Sequence, residues 1–153
     1  MTSSNPKKKT SQITKSEVVS LRLAQSQLAK LKRLSRRMGN STSQAAGVLI
    51  EESLRRADFG FIDFKDSAIG RQAFIVGTGL QVWEIVVIAR SYDMNTSKTA
   101  EHLSLPGYLI EAAFNYANAY PDEIEHLIQD NQSYDYDRLK VMLPSIETFN
   151  AGT

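Results

Sequence analysis

The chain has 153 residues and no cysteine, which is the size of one ordinary domain or two small ones and excludes a disulfide framework or a thiolate metal site. No apolar run approaches the roughly 18 residues of a membrane helix, and Lys7, Lys8 and Lys9 are not followed by the apolar stretch of a signal peptide, so a cytoplasmic protein is expected. The net charge of +1 conceals a division: residues 1–57 carry twelve Lys and Arg against three Glu, a net of +9, and residues 58–153 carry six against fourteen, a net of −8, so the first part suits a polyanion and the second repels one.

Residues 1–16 are mostly Ser, Thr, Asn, Pro and Lys and read as a disordered basic arm. Glu17 to Leu23 predicts a short strand: from Val19 apolar and polar residues alternate, with Val19, Leu21 and Leu23 on one face and Val18, Ser20 and Arg22 on the other. Gln25–Met38 is predicted helical: Leu28, Leu31, Leu34 and Met38 recur at three- and four-residue spacing, with Lys30, Lys32, Arg33, Arg36 and Arg37 on the remaining surface. Gly39 ends it in a left-handed turn. Asn40 or Ser41 caps a second helix running to about Ala57, with Gln44 placed for a capping box. Ala45, Ala46, Val48, Leu49, Ile50 and Leu54 give that helix an apolar face too wide for one surface helix, which calls for a second copy or a second layer.

Residues 58–66 read as an ordered connection, with Phe59, Phe61, Ile62 and Phe64 around Gly60. Ile69–Leu80 is β-like and contains a Gly77-Thr78-Gly79 turn. Val82–Tyr92 is a strongly apolar helix whose Trp83, Ile85, Val86, Val87 and Ile88 read as core. Thr96–Leu103 is a short helix capped by Thr96 or Ser97. Pro106 suits the first turn of a longer helix ending near Tyr120, and Pro121 opens another through about Gln129. Residues 131–153 read as a polar tail with an apolar patch at Leu139, Val141, Met142 and Leu143.

A seven-residue strand forms no sheet by itself. Two copies that pair their strands antiparallel and interlock their helices solve that problem and cover the second helix's face. The paired strands then present Val18, Ser20 and Arg22 outward, and a two-stranded ribbon fits the DNA major groove. Arg22 is placed to contact guanine, Ser20 to donate or accept, and Val18 to touch a thymine methyl. Backbone N–H groups at Asn40, Ser41 and Thr42 are candidates for a phosphate at the helix start, and Lys7, Lys8, Lys9 and the first helix supply salt-dependent attraction. The segments V-S-L-R-L, A-Q-S-Q-L-A-K-L-K-R-L-S-R-R-M-G and N-S-T-S-Q-A-A-G-V-L-I-E-E-S-L resemble the ribbon–helix–helix repressors, the family of the Arc and methionine repressors. Two departures stand out: Val18 is apolar where such readers often carry a polar or basic residue, and Gly47 lies inside the second helix.

The later segments G-R-Q-A-F-I-V-G-T-G-L-Q-V-W-E-I-V, T-S-K-T-A-E-H-L-S-L and P-G-Y-L-I-E-A-A-F-N-Y-A-N-A-Y-P-D-E-I resemble a small bacterial helix-turn-helix domain found in VapB-type antitoxins encoded beside PIN-like ribonuclease toxins. That family usually reads Gly-Thr-Arg where this chain has Gly77-Thr78-Gly79. The would-be recognition helix, Pro106 to Tyr120, holds Glu111 and no Lys or Arg, which disfavours DNA reading there and favours protein contact. Tyr108, Ala112, Tyr116 and Tyr120 fall near one stripe, most of it expected in the core.

The expected fold class is therefore mainly α. A ribbon–helix–helix dimer (17–57) precedes a connection (58–66), a helix-turn-helix-like interaction domain with a short β element (67–130) and a tail (131–153). The resemblances imply an antitoxin that binds operator DNA as a homodimer or higher even oligomer and neutralises a PIN-like toxin through its C-terminal half, with Tyr134, Tyr136, Leu139 and Met142 as partner-binding candidates. A stand-alone repressor or a plasmid copy-number or partition regulator is the alternative. No cofactor, metal or membrane contact is expected. His102 and His126 are the only histidines, Asp122, Glu123 and Glu125 look like an acidic first turn complementing the helix dipole, and no nucleophile sits in a catalytic setting, so the chain does not read as an enzyme.

Overall fold

The computed structural model describes residues 17–67 and 70–142. The described residues are mainly helical. They form α1 (Gln25–Met38), α2 (Thr42–Asp58), β1 (Ile62–Ser67), β2 (Gly70–Ile75), α3 (Val82–Arg90), α4 (Thr96–Leu103), α5 (Gly107–Ala119) and α6 (Pro121–Met142). None of these helices is long and apolar enough to cross a membrane.

The predicted bounds of α1 agree with the structure, and its end has a local cause. Gly39 adopts φ 67, so the N–H groups of Gly39 and Asn40 turn back to the carbonyls of Arg36 and Ser35 and satisfy the last turn. Ser41 then starts α2: its Oγ accepts from the N–H of Gln44 at 3.1 Å, while its own N–H donates to Gln44 Oε1 at 2.9 Å. The reciprocal cap fixes the angle at which the two helices meet.

Three sequence expectations are corrected. The stretch read as a connection contains a strand: β1 pairs antiparallel with β2 in the register Ile62↔Ile75 to Ser67↔Gly70. Ile62 and Phe64 turn toward the core, and the pairing with β2 carries the strand. The cap of α4 is Asn95, whose Oδ1 accepts from the N–H of Lys98 at 2.9 Å, not Thr96 or Ser97, because those two already have helical geometry. Finally, α6 runs on to Met142 instead of stopping near Gln129, since neither Gly nor Pro interrupts the chain between Pro121 and Pro144.

The turn at Gly77-Thr78-Gly79 hooks the hairpin to α3. Both glycines lie at positive φ, 82 and 74, where a side chain would be strained. Thr78 Oγ1 donates to the carbonyl of Ile75 and accepts from the N–H of Leu80. Trp83 follows on α3, and its indole N–H meets the side-chain oxygens of Gln72 and Gln81 at 3.0 and 2.6 Å. The ring is therefore a packing group with its one donor satisfied.

The main core belongs to the hairpin and α3–α6. Ile62, Ala73, Ile75, Val82, Ile85, Val86, Leu109, Ile110, Ala113, Tyr116, Ile124 and Ile128 form one buried cluster. Each large aliphatic side chain in it contributes about 1.5–3 kcal/mol of burial. Tyr116 has no exposed surface, and its ring contacts Phe59, Phe64 and Tyr120. Its hydroxyl donates to Glu123 Oε1 at 2.8 Å and accepts from Arg55 Nη1 at 2.7 Å. Burial, together with the Glu123 charge, raises the phenol well above its ordinary pKa, so it stays a donor.

The N-terminal helices are different. Leu31, Leu34, Met38, Val48 and Leu49 are only half-buried, and no residue of α1 or α2 belongs to the buried cluster. Within one chain the two-helix unit has no core of its own. Tyr116→Phe removes the hydroxyl joining Arg55 to Glu123 and should destabilise the fold by about 1–3 kcal/mol, seen as a lower urea midpoint at unchanged slope.

Candidate nucleic-acid interface

Residues 17–24 precede α1 without helix or strand, and every side chain there is exposed. The predicted alternation placed Val19, Leu21 and Leu23 on a buried face. In the single chain these three are 79%, 65% and 44% exposed, so that face has nothing beneath it. Val18, Ser20 and Arg22 are equally open. The segment is joined directly to α1, where Gln27 Oε1 accepts from the N–H of Ala24 at 2.9 Å, so its C-terminal end is anchored to the first helical turn.

The hinge donors need a correction. Of the three N–H groups assigned to a phosphate, that of Asn40 is held by the carbonyl of Ser35 and that of Ser41 by the side chain of Gln44. Only that of Thr42 has no partner among the described residues. The caps that shape the hinge consume the donors the sequence suggested were free. Lys7, Lys8 and Lys9 lie outside the described residues.

The basic surface is smaller than its charge count. Arg22, Lys30, Lys32, Arg33 and Arg36 are exposed and without an ion-pair partner among the described residues. Three other arginines turn toward the acidic half: Arg37 to Asp66 at 2.7 Å, Arg56 to Asp63 at 2.7 Å, and Arg55 to Glu123 at 2.6 Å. Arg55 also meets Glu51 and lies over the Tyr120 ring, 3.8 Å from its centroid. Burial works against its charge, but its bonds to Glu123, Glu51 and Tyr116 outweigh that and raise its pKa.

The strongest link runs the other way. Glu52, on α2, is buried and takes both Nε and Nη2 of Arg71 from β2, at 2.5 and 2.8 Å. Arg71 extends to Asp66 at 3.0 Å, which also receives Arg37. Asp66 is held below the ordinary carboxylate range first by its hydrogen bond from Arg71, and Asp63 by that from Arg56. Sequence reasoning missed this junction. Its trace was present: Glu52 continues the three- and four-residue series Ala45, Val48, Leu49, so a carboxylate occupies an inward position and requires a cation.

The C-terminal helices also place the remaining predicted residues. Leu109, Ile110, Ala113 and Tyr116 of α5 are buried, whereas Tyr108, Glu111 and Asn115 are exposed. The outward face of α5 therefore carries an acid and no base. The Nδ1 atom of His102 contacts the hydroxyl of Tyr92 at 2.8 Å, and His126 faces Asp130 at 3.6 Å. Glu123 and Glu125 are engaged by Arg55 and Arg90. No cluster of three or more potential metal ligands occurs among the described residues. Tyr134, Tyr136, Leu139 and Met142 fall on the last turns of α6.

Comparison with protein-family models, with curated proteins and with solved structures finds no match for this chain.

The junction has a pH signature. Asp63 and Asp66 titrate lower folded than unfolded, so their contribution is complete above the unfolded value of about 3.9 and is lost as pH falls through the folded values below it. Thermal unfolding followed from pH 6 downward should show a flat midpoint until about pH 4 and a fall beneath it, and Asp66→Asn should reduce that fall.

Proposed function

We propose that the chain is a DNA-binding regulator that works as a dimer of its N-terminal part, and that its acidic C-terminal half receives a protein partner. One observation carries the first half of this reading: an uncovered apolar surface joined to an uncovered cation. Ile50 and Leu54 on α2 are 49% and 57% exposed, Leu28 on α1 is also open, and the Val19, Leu21 and Leu23 series runs up to them in sequence. These residues sit on the unit that lacks a core. A second copy supplies the missing layer at the gain of about 1.5–3 kcal/mol for each large side chain fully covered.

In that dimer the two 17–24 segments pair antiparallel. Period two then turns Val19, Leu21 and Leu23 onto the helices and leaves Val18, Ser20 and Arg22 outward. Arg22 reads a guanine edge, Ser20 donates or accepts, and Val18 contacts a methyl. Lys30, Lys32, Arg33 and Arg36 provide phosphate attraction, and the Thr42 N–H provides an anchor at the start of α2. Gly47 fits the same picture. A Cβ built there meets nothing within 4 Å in one chain, so its helix-weakening cost of about 1 kcal/mol relative to alanine has no internal reason, whereas a close approach by the partner's α2 supplies one.

For the second half, the resemblance to VapB-type antitoxins makes a PIN-like ribonuclease the partner class, and the acid-bearing C-terminal surface suits the basic surroundings of an RNA-cutting cleft. A stand-alone repressor differs in needing no such partner. A small overlapping reading frame with spaced acidic residues beside this gene favours the antitoxin.

Arg22→Ala should weaken binding to the chain's own promoter by about 1–3 kcal/mol and relax sequence preference, read by gel shift against duplexes changed one base pair at a time. An unaltered preference contradicts the ribbon. Ile50→Asp combined with Leu54→Asp should give a monomer by analytical ultracentrifugation, with helical content kept and operator binding lost. Both side chains are exposed in the single chain, so a wild-type protein that already sediments as a monomer overturns the reading.

A further inference from the structure

Beside the end of α2 lies a groove of about 450 Å³ whose lining includes Asp58, Phe61, Tyr108, Glu111, Ala112 and Asn115. Phe61 and Tyr108 are both half-exposed, and their rings meet 5.2 Å apart at 48°. The backbone of Phe61 adopts φ 65, a left-handed conformation that is an outlier for a bulky side chain. The N–H of Val76 donates to its carbonyl at 2.9 Å and holds it there. This conformation sends Ile62 into the core and Phe61 out onto Tyr108. Glycine would make the same turn without strain, so the aromatic side chain at this place serves neither the turn nor the core.

The rings are accompanied by negative charge. Asp58 and Glu111 are exposed carboxylates with no partner among the described residues. Asp58 is the last residue of α2, where the helix dipole is itself negative, and the two arginines of that turn, Arg55 and Arg56, are paired with Glu123 and Asp63. Two carboxylates repel a nucleic-acid backbone, which removes base stacking as the purpose of the rings. Aromatic faces beside carboxylates are the chemistry that recognises a guanidinium or ammonium group. We infer that this groove takes an arginine or lysine side chain from a basic segment of a protein partner. The inference deepens the partner-binding half of the function proposed above and rests on it.

The probe is a hexa-arginine peptide blocked at both ends, titrated into the full chain and followed by amide chemical shifts. The expected shifts concentrate at Gly60, Phe61, Glu111 and Asn115. Glu111→Gln and Phe61→Gly should each weaken binding about tenfold, with amide spectra otherwise unchanged. Phe61→Gly remains folded because it removes strain, and Glu111→Gln is an exposed, isosteric change. Absence of binding, equal binding by both variants, or shifts gathered at Asp122 and Glu125 with the groove silent overturns the assignment. So does equal occupation of the groove by a neutral hexapeptide. Where a small reading frame overlaps this gene, its product separates the two levels. If it binds wild type and both variants alike, the groove is wrong and partner binding stands. If it binds none while the peptide still fills the groove, the groove stands and the toxin-binding reading falls.

Discussion

The Glu52–Arg71 pair joins a helix without a core of its own to a module that has one. An unpaired carboxylate at that depth would be strongly unfavourable, and the bidentate arginine from β2 is what makes Glu52 acceptable there. The consequence is directional. One side of α2 is committed to the hairpin and to α6 through Glu52 and Arg55, which leaves Ile50 and Leu54 on a side the chain does not cover. A buried ion pair is weak evidence of net stability; what the geometry gives is that Glu52 and Arg71 pack one face of α2 on the hairpin.

The sequence revealed the parts that obey short-range rules. Gly39, Ser41 and Gln44 set the α1–α2 corner through contacts three to five residues long, and all three were legible because capping chemistry is local. The apolar helix α3 and the turn at Gly77 and Gly79 were legible for the same reason. What escaped was long-range. β1 was read as a connection because a strand of six residues, IDFKDS, has too little periodicity to declare itself until β2 lies beside it. The extension of α6 escaped because a polar composition was taken for a tail, although no helix breaker intervened. The candidate site divides along the same line: Val18, Ser20 and Arg22 are exposed but so are Val19, Leu21 and Leu23, so the alternation has no expression within one chain, the donors at Asn40 and Ser41 were spent on capping, and Arg55, Glu52 and Arg71 emerge only when residues 19 to 68 positions apart meet.

The division of charge acquires a different meaning with the structure in view. A net of +9 against −8 suggested two surfaces, one for a polyanion and one that avoids it. Part of each charge is in fact spent on the other. Arg37, Arg55 and Arg56 are paired with Asp66, Glu123 and Asp63; the Arg55 pair is the more enclosed, whereas the Arg37 and Arg56 pairs lie at the surface, where such a contact holds weakly. Among the charges without an ion-pair partner in the described residues are Arg22, Lys30, Lys32, Arg33 and Arg36 on the first helix and the segment before it, and Asp58 and Glu111 beside the exposed rings. A count of charges overestimates both surfaces; the pairing shows which residues remain to meet something else.

Helix α2 sets the relation between those surfaces. It spans 17 residues, about 26 Å at 1.5 Å per residue. Its N-terminus, capped by Ser41 and with the Thr42 N–H open, is the positive end of the dipole and adjoins the basic helix. Its C-terminus ends at Asp58, the negative end, beside Phe61 and Tyr108. The same macrodipole that favours a phosphate at one end favours a cation at the other. A ligand at either end therefore meets one rigid rod whose flank is fastened by Glu52 and Arg55, and its open side is the side proposed for the second copy. In the dimer proposed above, occupation of the acidic end would reach the 17–24 segments through the way α2 sits on the second copy, so a coupling between a protein partner and DNA would pass through Ile50, Leu54 and Gly47.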